Sequence, residues 1–380
     1  MGDGGAAIRD FSNLEELEGL ARSCVPAMAF DYYRSGADDE ATLEENKSAW
    51  RDLRLVPRML IDVSNISTSC DILGHKLSCP ILIAPMAMQC LAHPEGEAAV
   101  ARAAAKKNVP MVVSTMATLS VEEIAAVRPS PVMFFQIYVL RDRQFTANLI
   151  RKAEREGYQA LMVTVDAPCM GNREADEKHG FHLPDGLRLK NLDGLGTPPS
   201  AQLQPAEHLE SSIGETFAQQ IDPTLTWELV PWLKSITKMP IWVKGLVSPT
   251  DAILAVQAGV DGIVCSNHGG RQLDTCVPSA VALPMLTRVV RGRVPILVDG
   301  GIRRGTDILK AMALGASGVL LGRPVLYALA VGGQAGVELL LDKIIKELRL
   351  AMALSGCTSI NNINSSLILG NDCDYYKSKL

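Results

Sequence analysis

Eight short apolar runs constrain the fold of this chain more than any other feature of its sequence. They lie at Ile81–Ala84, Met111–Val113, Val132–Ile137, Leu161–Val165, Ile241–Val243, Gly262–Cys265, Ile296–Val298 and Val319–Leu321. Because their apolar residues are consecutive rather than alternating, these runs are typical of parallel strands buried on both faces. Helix-like segments separate most of them, as at Gly96–Lys107, Arg143–Glu156, Thr250–Ala258 and Gly305–Leu314. Eight strand–helix units predict an α/β fold, a (β/α)8 TIM barrel.

The remaining segments complete a single predicted domain over residues 1–380. Residues 1–75 are expected to form an N-terminal helical extension, in which Ser12 and Glu15 make a capping box and Gly36 caps the following helix. Residues 76–365 form the predicted barrel, and residues 366–380 form a tail. The interval after the fourth run is long, polar and rich in Gly and Pro. Residues 169–230 are therefore expected to be a loop that covers the carboxyl ends of the strands as a lid.

Composition excludes several classes of protein. The chain is 47% hydrophobic and 21% charged, which supplies a large core and argues against global disorder. A net charge of −5 argues against nucleic acid as a partner. Nine cysteines without a CxxC motif predict neither a disulfide framework nor a structural metal site. No secretory signal is recognised in residues 1–9, and no apolar run suggests a membrane span.

The last three residues, Ser378-Lys379-Leu380, match a peroxisomal address. The alternative is a chance match of three residues at the one position where the signal is read. We expect the tail to bind the peroxisomal import receptor and the protein to be located in the peroxisome.

Polar or ionisable residues follow almost every predicted strand. In chain order the residues selected at the strand ends are Pro85, Met86 and Ala87; Ser114 and Met116; Gln136 and Tyr138; Thr164, Asp166 and Arg173; Lys244; Ser266, His268 and Arg271; Asp299, Gly300, Gly301 and Arg303; and Gly322 and Arg323. The carboxyl ends of barrel strands meet at one mouth, where barrel enzymes carry their catalytic residues. The sequence therefore predicts a single active site built from all eight strands.

Glycine and arginine together follow the last two strands, in Asp299–Arg303 and Gly322–Arg323. Glycine lets backbone N–H groups approach an anion, and the start of a helix adds positive charge. These segments are predicted to bind a phosphate, although ordinary tight turns would contain similar residues.

His268 is the predicted general base, because a neutral imidazole accepts a proton near pH 7. Asp166 would stabilise the imidazolium that results. Arg173 and Arg271 would pair with a substrate carboxylate, since a guanidinium matches its geometry. Lys244 would stabilise negative charge on a bound ring system, although a solvated lysine at a strand end is the simpler alternative.

Two longer motifs, Ser266–Asp274 (SNHGGRQLD) and Asp299–Asp307 (DGGIRRGTD), resemble the FMN-dependent L-2-hydroxy-acid oxidase family. Its members include glycolate oxidases, lactate oxidases and related dehydrogenases. The resemblance extends from Ala29–Gly36 to Met352–Cys357. It implies FMN as cofactor, oxidation of a small 2-hydroxy acid with O2 to yield H2O2, and assembly as a homotetramer or octamer.

The resemblance also assigns roles by position. It makes His268 the catalytic base and Asp166 its partner. Residues implied to bind substrate are Tyr32, Tyr138, Arg173 and Arg271. Residues implied to contact the flavin ring and ribityl chain are Pro85, Met86, Ala87, Ser114, Gln136, Thr164, Lys244 and Ser266. Residues implied to contact the ribityl chain and phosphate are Asp299, Gly300, Gly301, Arg303, Gly322 and Arg323.

Two positions depart from the family pattern. Met116 stands where glycolate oxidases of the plant type usually have tryptophan, and Met86 stands where threonine is common. A flexible methionine at position 116 leaves room for a larger substrate side chain, which favours L-lactate or a similar acid over glycolate. Hydride transfer and a carbanion mechanism both remain open, as do two rival functions: a flavin-dependent isomerase and a catalytically silent flavin protein.

Overall fold

The eight apolar runs form parallel strands that close into a barrel in the computed structural model, which describes residues 10–127, 132–178, 180–195 and 219–369. After a hairpin of β1 (Cys70–Ile72) and β2 (His75–Leu77), the barrel strands are β3 (Ile81–Ile83), β4 (Met111–Val113), β5 (Met133–Ile137), β6 (Ala160–Thr164), β7 (Ile241–Leu246), β8 (Gly262–Cys265), β9 (Ile296–Val298) and β10 (Gly318–Leu321). Each barrel strand pairs with the next in the chain, and β10 pairs with β3. The prediction of a (β/α)8 barrel is confirmed.

Helices connect the strands and cover the outside of the barrel. They are α1 (Leu14–Arg22), α2 (Ala27–Arg34), α3 (Ala41–Asp52), α4 (Gly96–Lys107), α5 (Val121–Ala126), α6 (Arg143–Arg155), α7 (Glu174–Lys178), α8 (Leu229–Ile236), α9 (Pro249–Ala258), α10 (Ser279–Val290), α11 (Gly305–Ala313) and α12 (Arg323–Leu354). The four helices predicted between strands are present, with ends that differ by at most one residue from the expected ones.

Alternate residues of each strand belong to two separate apolar cores, which explains why the runs are continuous. Ile81 and Ile83 pack in the large core beneath the helices, whereas Leu82 packs inside the barrel with Phe134 and Trp242. The β1–β2 hairpin contributes residues to this inner core and closes the amino end of the barrel. The sequence predicted a helical extension, whereas the structure adds this hairpin to its helices.

Two predicted helix caps in the extension were wrong. The cap of α1 is Asn13, whose side chain accepts hydrogen bonds from the N–H groups of the two glutamates that follow Leu14, and Glu16 rather than Glu15 bonds back to the Ser12 N–H. The α2 helix ends at Arg34 with Ser35 as its cap. Gly36 instead lies against the Gly270 carbonyl, which would be 3.0 Å from an added Cβ.

Helix α3 ties the extension to the carboxyl end of the barrel. The side-chain amides of Asn46 and Asn267 exchange two hydrogen bonds of 2.9 Å, and both side chains are buried. The Trp50 indole N–H donates to the Gly300 carbonyl at 2.8 Å. These contacts hold the loops after β8 and β9 in position.

The C-terminal helix α12 corrects the expectation that no segment is long and apolar enough to span a membrane. It has 32 residues, and its most apolar window has a mean hydropathy of 1.4. However, 61% of that window is buried within the protein, as in the core helix of a barrel, and Gly332 and Gly333 interrupt its helical backbone. Length and composition alone are weak grounds for a membrane span.

Part of the long connection after β6 lies within the described residues. It contains α7 and a 3-10 turn at Lys190–Leu192, and residues 196–218 lie outside the described residues. Near the C-terminus, Leu367 is buried and Ile368 pairs with Leu55. The first residues of the predicted tail therefore pack against the extension. The Ser378–Leu380 signal lies outside the described residues.

Replacing Asn46 with alanine should lower the free energy of unfolding by about 1–3 kcal/mol, because it removes one partner of a buried amide pair. Urea denaturation measures the effect. Asn148→Ala, which changes an exposed amide on α6, is the matched control and should cost much less. Equal stability of the two variants would contradict the anchoring role of α3.

Candidate active site

One cavity opens at the carboxyl ends of the barrel strands and encloses about 1100 Å³, including space open to solvent. Every site residue predicted from the sequence lines this cavity except Asp166 and Ser266. Those two lie directly behind it, where they hydrogen-bond to His268 and Lys244. The barrel therefore brings together the residues that the sequence placed at eight separate strand ends.

His268 lies in the loop after β8 with its imidazole between an acid and a phenol. Its Nδ1 is 2.7 Å from Asp166 Oδ1, and its Nε2 is 3.5 Å from the Tyr138 hydroxyl. The His268 backbone has a φ of 60°, a left-handed conformation that costs energy for a residue with a side chain. This conformation, together with positive φ at Gly269 and Gly270, turns the chain sharply at the mouth.

Burial and nearby charges set the protonation states of this pair. Burial lowers the pKa of His268 below its usual value, and Lys244 and Arg173 add to that effect, while Asp166 opposes it. Burial raises the pKa of Asp166, but His268 and Lys244 outweigh it, so this pKa is lowered overall. The pair is therefore a neutral imidazole beside a carboxylate at neutral pH. Since the Asp166 carboxylate accepts a hydrogen bond from Nδ1–H, Nε2 is left as the basic atom.

Two tyrosines border the cavity beside the histidine. Burial raises the pKa of Tyr138 to about 12, with Asp166 adding to the shift, so its phenol remains protonated. The ring of Tyr32 stacks on Phe181, with centroids 4.1 Å apart, and the Arg271 guanidinium lies 5.1 Å from the Tyr32 centroid. Phe181 belongs to the long loop after β6, so this loop packs directly over the mouth.

Arg173 and Arg271 present adjacent guanidinium groups to the cavity. Burial lowers the pKa of Arg173 to about 10, and the positive charge of Arg271 contributes. Arg271 uses Nη1 to bond the carbonyls of Tyr32 and Ser35, each at 2.7 Å. Its Nε and Nη2 make no hydrogen bond within the described part of the chain. Two neighbouring cations with donors to spare form a site for an anionic group such as a carboxylate.

Lys244 is a buried cation at the end of β7. Its Nζ lies 2.9 Å from Ser266 Oγ and 3.3 Å from Asp299 Oδ2. Burial lowers the pKa of Lys244, but Asp299 and Asp166 outweigh that effect and raise it overall. The lysine therefore stays charged. Asp299 Oδ1 is buried and lacks a hydrogen-bond partner among the described residues, so it is available to a ligand.

Internal hydrogen bonds fix the polar side chains after β4, β5 and β6. Gln136 accepts from the Thr115 N–H and donates to Thr164 Oγ1 at 3.0 Å. Ser114 Oγ accepts from the Met116 N–H. These groups are thus fixed before any ligand binds.

The last two strand ends combine glycine with arginine, as predicted. Gly300 and Gly301 have φ of 89° and 77°, and a Cβ at Gly301 would lie 1.8 Å from the Asn46 carbonyl oxygen. Arg323 bonds three backbone carbonyls, those of Tyr33, Ser35 and Gly269, and burial lowers its pKa to about 9. Arg323 therefore braces the mouth as well as adding positive charge, a role that the sequence did not suggest.

Several lining residues were missed by the sequence analysis. They are Tyr33, Ala84, Met170, Gly269, Leu320 and Leu326. Most are small or apolar and carry no chemical signal, so only their place in the fold identifies them. Met170 was the most accessible to prediction, because it lies between Asp166 and Arg173 in the loop after β6.

Comparison with known proteins agrees with this geometry. The sequence model of the family described as FMN-dependent dehydrogenase matches residues 21–369. The chain belongs to this family. It is 49% identical to the L-lactate oxidase of Nostoc sp. over 368 residues, covering 95% of this chain and 99% of that protein. It is 48% identical to the glycolate oxidase of Spinacia oleracea over 361 residues, covering 94% and 96%. A crystal structure of mandelate oxidase, 42% identical, superposes with a TM-score of 0.85 and covers 94% of this chain and 98% of that one.

The resemblance found in the sequence is thereby confirmed, and FMN is the cofactor. The cavity suits FMN, because the Gly300–Arg303 turn, Arg323 and the buried Lys244 cation all line it. The buried, unpartnered Asp299 Oδ1 offers an acceptor for a ribityl hydroxyl. The Gly300–Arg303 backbone and the amino end of α12 would hold the phosphate.

Proposed function

We propose that the protein is an FMN-dependent (S)-2-hydroxy-acid oxidase that acts on L-lactate or a slightly larger acid in preference to glycolate. The observation that carries this proposal is the His268–Asp166 pair facing Arg173 and Arg271 across one cavity. In the overall reaction, the 2-hydroxy acid loses two electrons and two protons to become the 2-oxo acid. O2 gains them to become H2O2.

Substrate binding begins with the carboxylate. Arg173 and Arg271 would each donate hydrogen bonds to it, and their mutual repulsion falls when an anion lies between them. The Tyr32 and Tyr138 hydroxyls would hold the remaining polar atoms of the substrate. With the carboxylate fixed, the 2-hydroxyl and the α-hydrogen face His268.

His268 Nε2 would then remove a proton, because this atom is unprotonated in the neutral tautomer set by Asp166. Asp166 stabilises the imidazolium that forms, at a distance of 2.7 Å from Nδ1. Two alternatives stay open: the hydroxyl proton leaves as hydride departs, or the α-proton leaves first. Bound FMN supplies the two-electron acceptor for the substrate and the route by which O2 is reduced. Lys244 stabilises negative charge at that end of the cavity.

The preference for lactate rests on two methionines. Met116, which is buried, and Met170 both line the cavity. Methionine is apolar and adjusts its shape, so these side chains make room for a methyl or longer substituent on the substrate. The relatives compared with this chain are named as lactate, glycolate and mandelate oxidases. These three acids differ in the size of the substituent on the carbon that bears the hydroxyl group.

We further propose a location and an assembly state. The Ser378–Leu380 signal would direct the protein to the peroxisome, where H2O2 is removed. Self-association as a homotetramer or octamer is supported by the exposed side chains of Met59, Leu60 and Leu354. The first two lie beside the end of α12, since the Arg58 N–H donates to the Ser355 carbonyl.

The substrate preference is tested by oxygen consumption with glycolate, L-lactate and longer 2-hydroxy acids. L-Lactate should give a higher kcat/KM than glycolate. Met116→Trp should reduce kcat/KM for lactate relative to glycolate by about tenfold, because the indole occupies the space of the methyl group. Met285→Trp, on the outer face of α10, should leave the ratio unchanged. A higher kcat/KM for glycolate in the unaltered enzyme would refute the preference.

His268→Ala should retain FMN and lose turnover by about 10²-fold or more, because it removes the general base. Steady-state oxygen consumption and the flavin absorbance of the purified variant provide the two measurements. His75→Ala, in the hairpin at the opposite end of the barrel, is the matched control. Unchanged turnover in His268→Ala would exclude this residue from the mechanism.

The address signal is tested by deleting residues 378–380 from a fluorescent fusion. The shortened protein should stay in the cytosol, while the purified enzyme keeps its kcat/KM because the tail is far from the strand ends in sequence. Peroxisomal fluorescence that survives the deletion would contradict the assignment.

A further inference from the structure

Gln272 joins the two loops that carry the catalytic pair, and no step of the proposed mechanism uses it. Its Oε1 accepts hydrogen bonds from the Gly171 N–H at 3.1 Å and from Arg173 Nη2 at 3.2 Å. Its Nε2 donates to the carbonyls of Asp166 at 3.0 Å and Cys169 at 2.8 Å. One side chain on the loop after β8 thus makes four hydrogen bonds to the loop after β6.

The loop that carries Gln272 is firmly anchored on its other side. The Asp274 carboxylate accepts from the N–H groups of Ala41 and Thr42, the latter at 2.7 Å, at the start of α3. The Gly270 carbonyl accepts from the Ala37 N–H at 2.8 Å. Near its start the loop after β6 is joined to the same extension through Asn172, which exchanges two hydrogen bonds with Asp38, fewer than the loop after β8 makes. Gln272 therefore transmits the position of a fixed loop to a less constrained one.

The two loops also touch through their backbones. A Cβ at Gly171 would lie 2.4 Å from the Arg271 carbonyl oxygen and 2.6 Å from that of Gln272. Glycine at position 171 thus permits the close approach that brings both ends of the Gln272 amide within reach of their partners. A small displacement of either loop would break this arrangement.

The chemistry of the contact requires an amide. Two carbonyl oxygens need donors on one side, and an N–H and a guanidinium need an acceptor on the other. Glutamate would supply only acceptors, and methionine has nearly the same length but neither function. The four partners include Asp166, which orients His268, and Arg173, which faces the substrate. The contact therefore affects both the proposed base and the proposed carboxylate site.

We propose that Gln272 is a positioning residue that sets the loop after β6 in register with the loop after β8, so that Asp166 meets His268 and Arg173 faces the substrate carboxylate. This inference rests on the proposed function. A positioning role differs from a general stabilising role. It requires that replacing Gln272 change the substrate affinity and the pH dependence of the reaction, beyond any change in thermal stability.

Gln272→Met is the direct test, made on the FMN-loaded enzyme with L-lactate. We expect kcat/KM to fall by about 10- to 100-fold, because displacements of about 1 Å near a reacting centre cost this much. The acid limb of the kcat/KM profile should also move to lower pH. Asp166 raises the pKa of His268 by more than Arg173 lowers it, and Lys244, which also lowers it, stays in place on β7. A displaced Asp166 therefore leaves a histidine that stays deprotonated at lower pH. Equilibrium binding of pyruvate should weaken. Gln144→Met, an exposed glutamine on α6, is the matched control.

Gln272→Glu separates the two sides of the amide. The carboxylate keeps an acceptor for Gly171 and Arg173 but has no donor for the carbonyls of Asp166 and Cys169. Because its charge pairs with Arg173 in place of the substrate, KM should rise more than in Gln272→Met.

The inference is overturned if both variants keep the unaltered kcat/KM, or if Gln272→Met loses stability and rate while its pH profile and pyruvate affinity are unchanged. An unaltered enzyme that oxidises none of the 2-hydroxy acids would instead refute the proposed function. The two failures are therefore distinguishable.

Discussion

The hydrogen bond between His268 and Asp166 connects residues 102 positions apart, and the chemistry of the site depends on it. Burial alone would favour a protonated Asp166, but the Lys244 charge and the hydrogen bond from His268 Nδ1–H keep it ionised. Burial also keeps His268 neutral, so that it can accept a proton. Both buried acids at the mouth thus lie beside a group that stabilises their charge: Asp166 beside His268 Nδ1–H, and Asp299 beside Lys244. Buried charges that lacked such partners would cost several kcal/mol each.

The mouth is assembled at the expense of local backbone strain. His268 is held in a left-handed conformation that most residues avoid, and Gly245 has a φ of 114° where an added Cβ would lie 2.6 Å from the Asp166 Cβ. The His268 conformation persists only where surrounding contacts impose it, whereas glycine adopts its positive φ without strain. Helix α3 supplies many of these contacts through Asn46 and Trp50. The extension before the barrel is therefore part of the active site's support rather than an appendage.

The barrel strands and the residues that meet at their carboxyl ends could be predicted from the sequence, because they depend on the pattern of apolar residues along the chain. Continuous runs such as Met111–Val113 have one physical explanation, a strand buried on both faces, and parallel closure then determines where His268 and Lys244 meet. Predictions that depended on fine backbone geometry were less accurate. Asn13 and Ser12 are both good cap residues, and only the packing of α1 decides between them. The same is true of Gly36, whose space is limited by the neighbouring Gly270 carbonyl. Contacts between distant loops, such as those of Gln272, leave no local pattern at all.

We propose that one mouth holds FMN beside a histidine and two arginines, and that a 2-hydroxy acid is oxidised there. Rapid mixing of the FMN-loaded protein with L-lactate in the absence of oxygen tests it most directly. We expect the flavin absorbance to be lost within one turnover and to return when oxygen is admitted, with one H2O2 formed per pyruvate. A flavin that binds yet stays oxidised with lactate, glycolate and longer 2-hydroxy acids would contradict it.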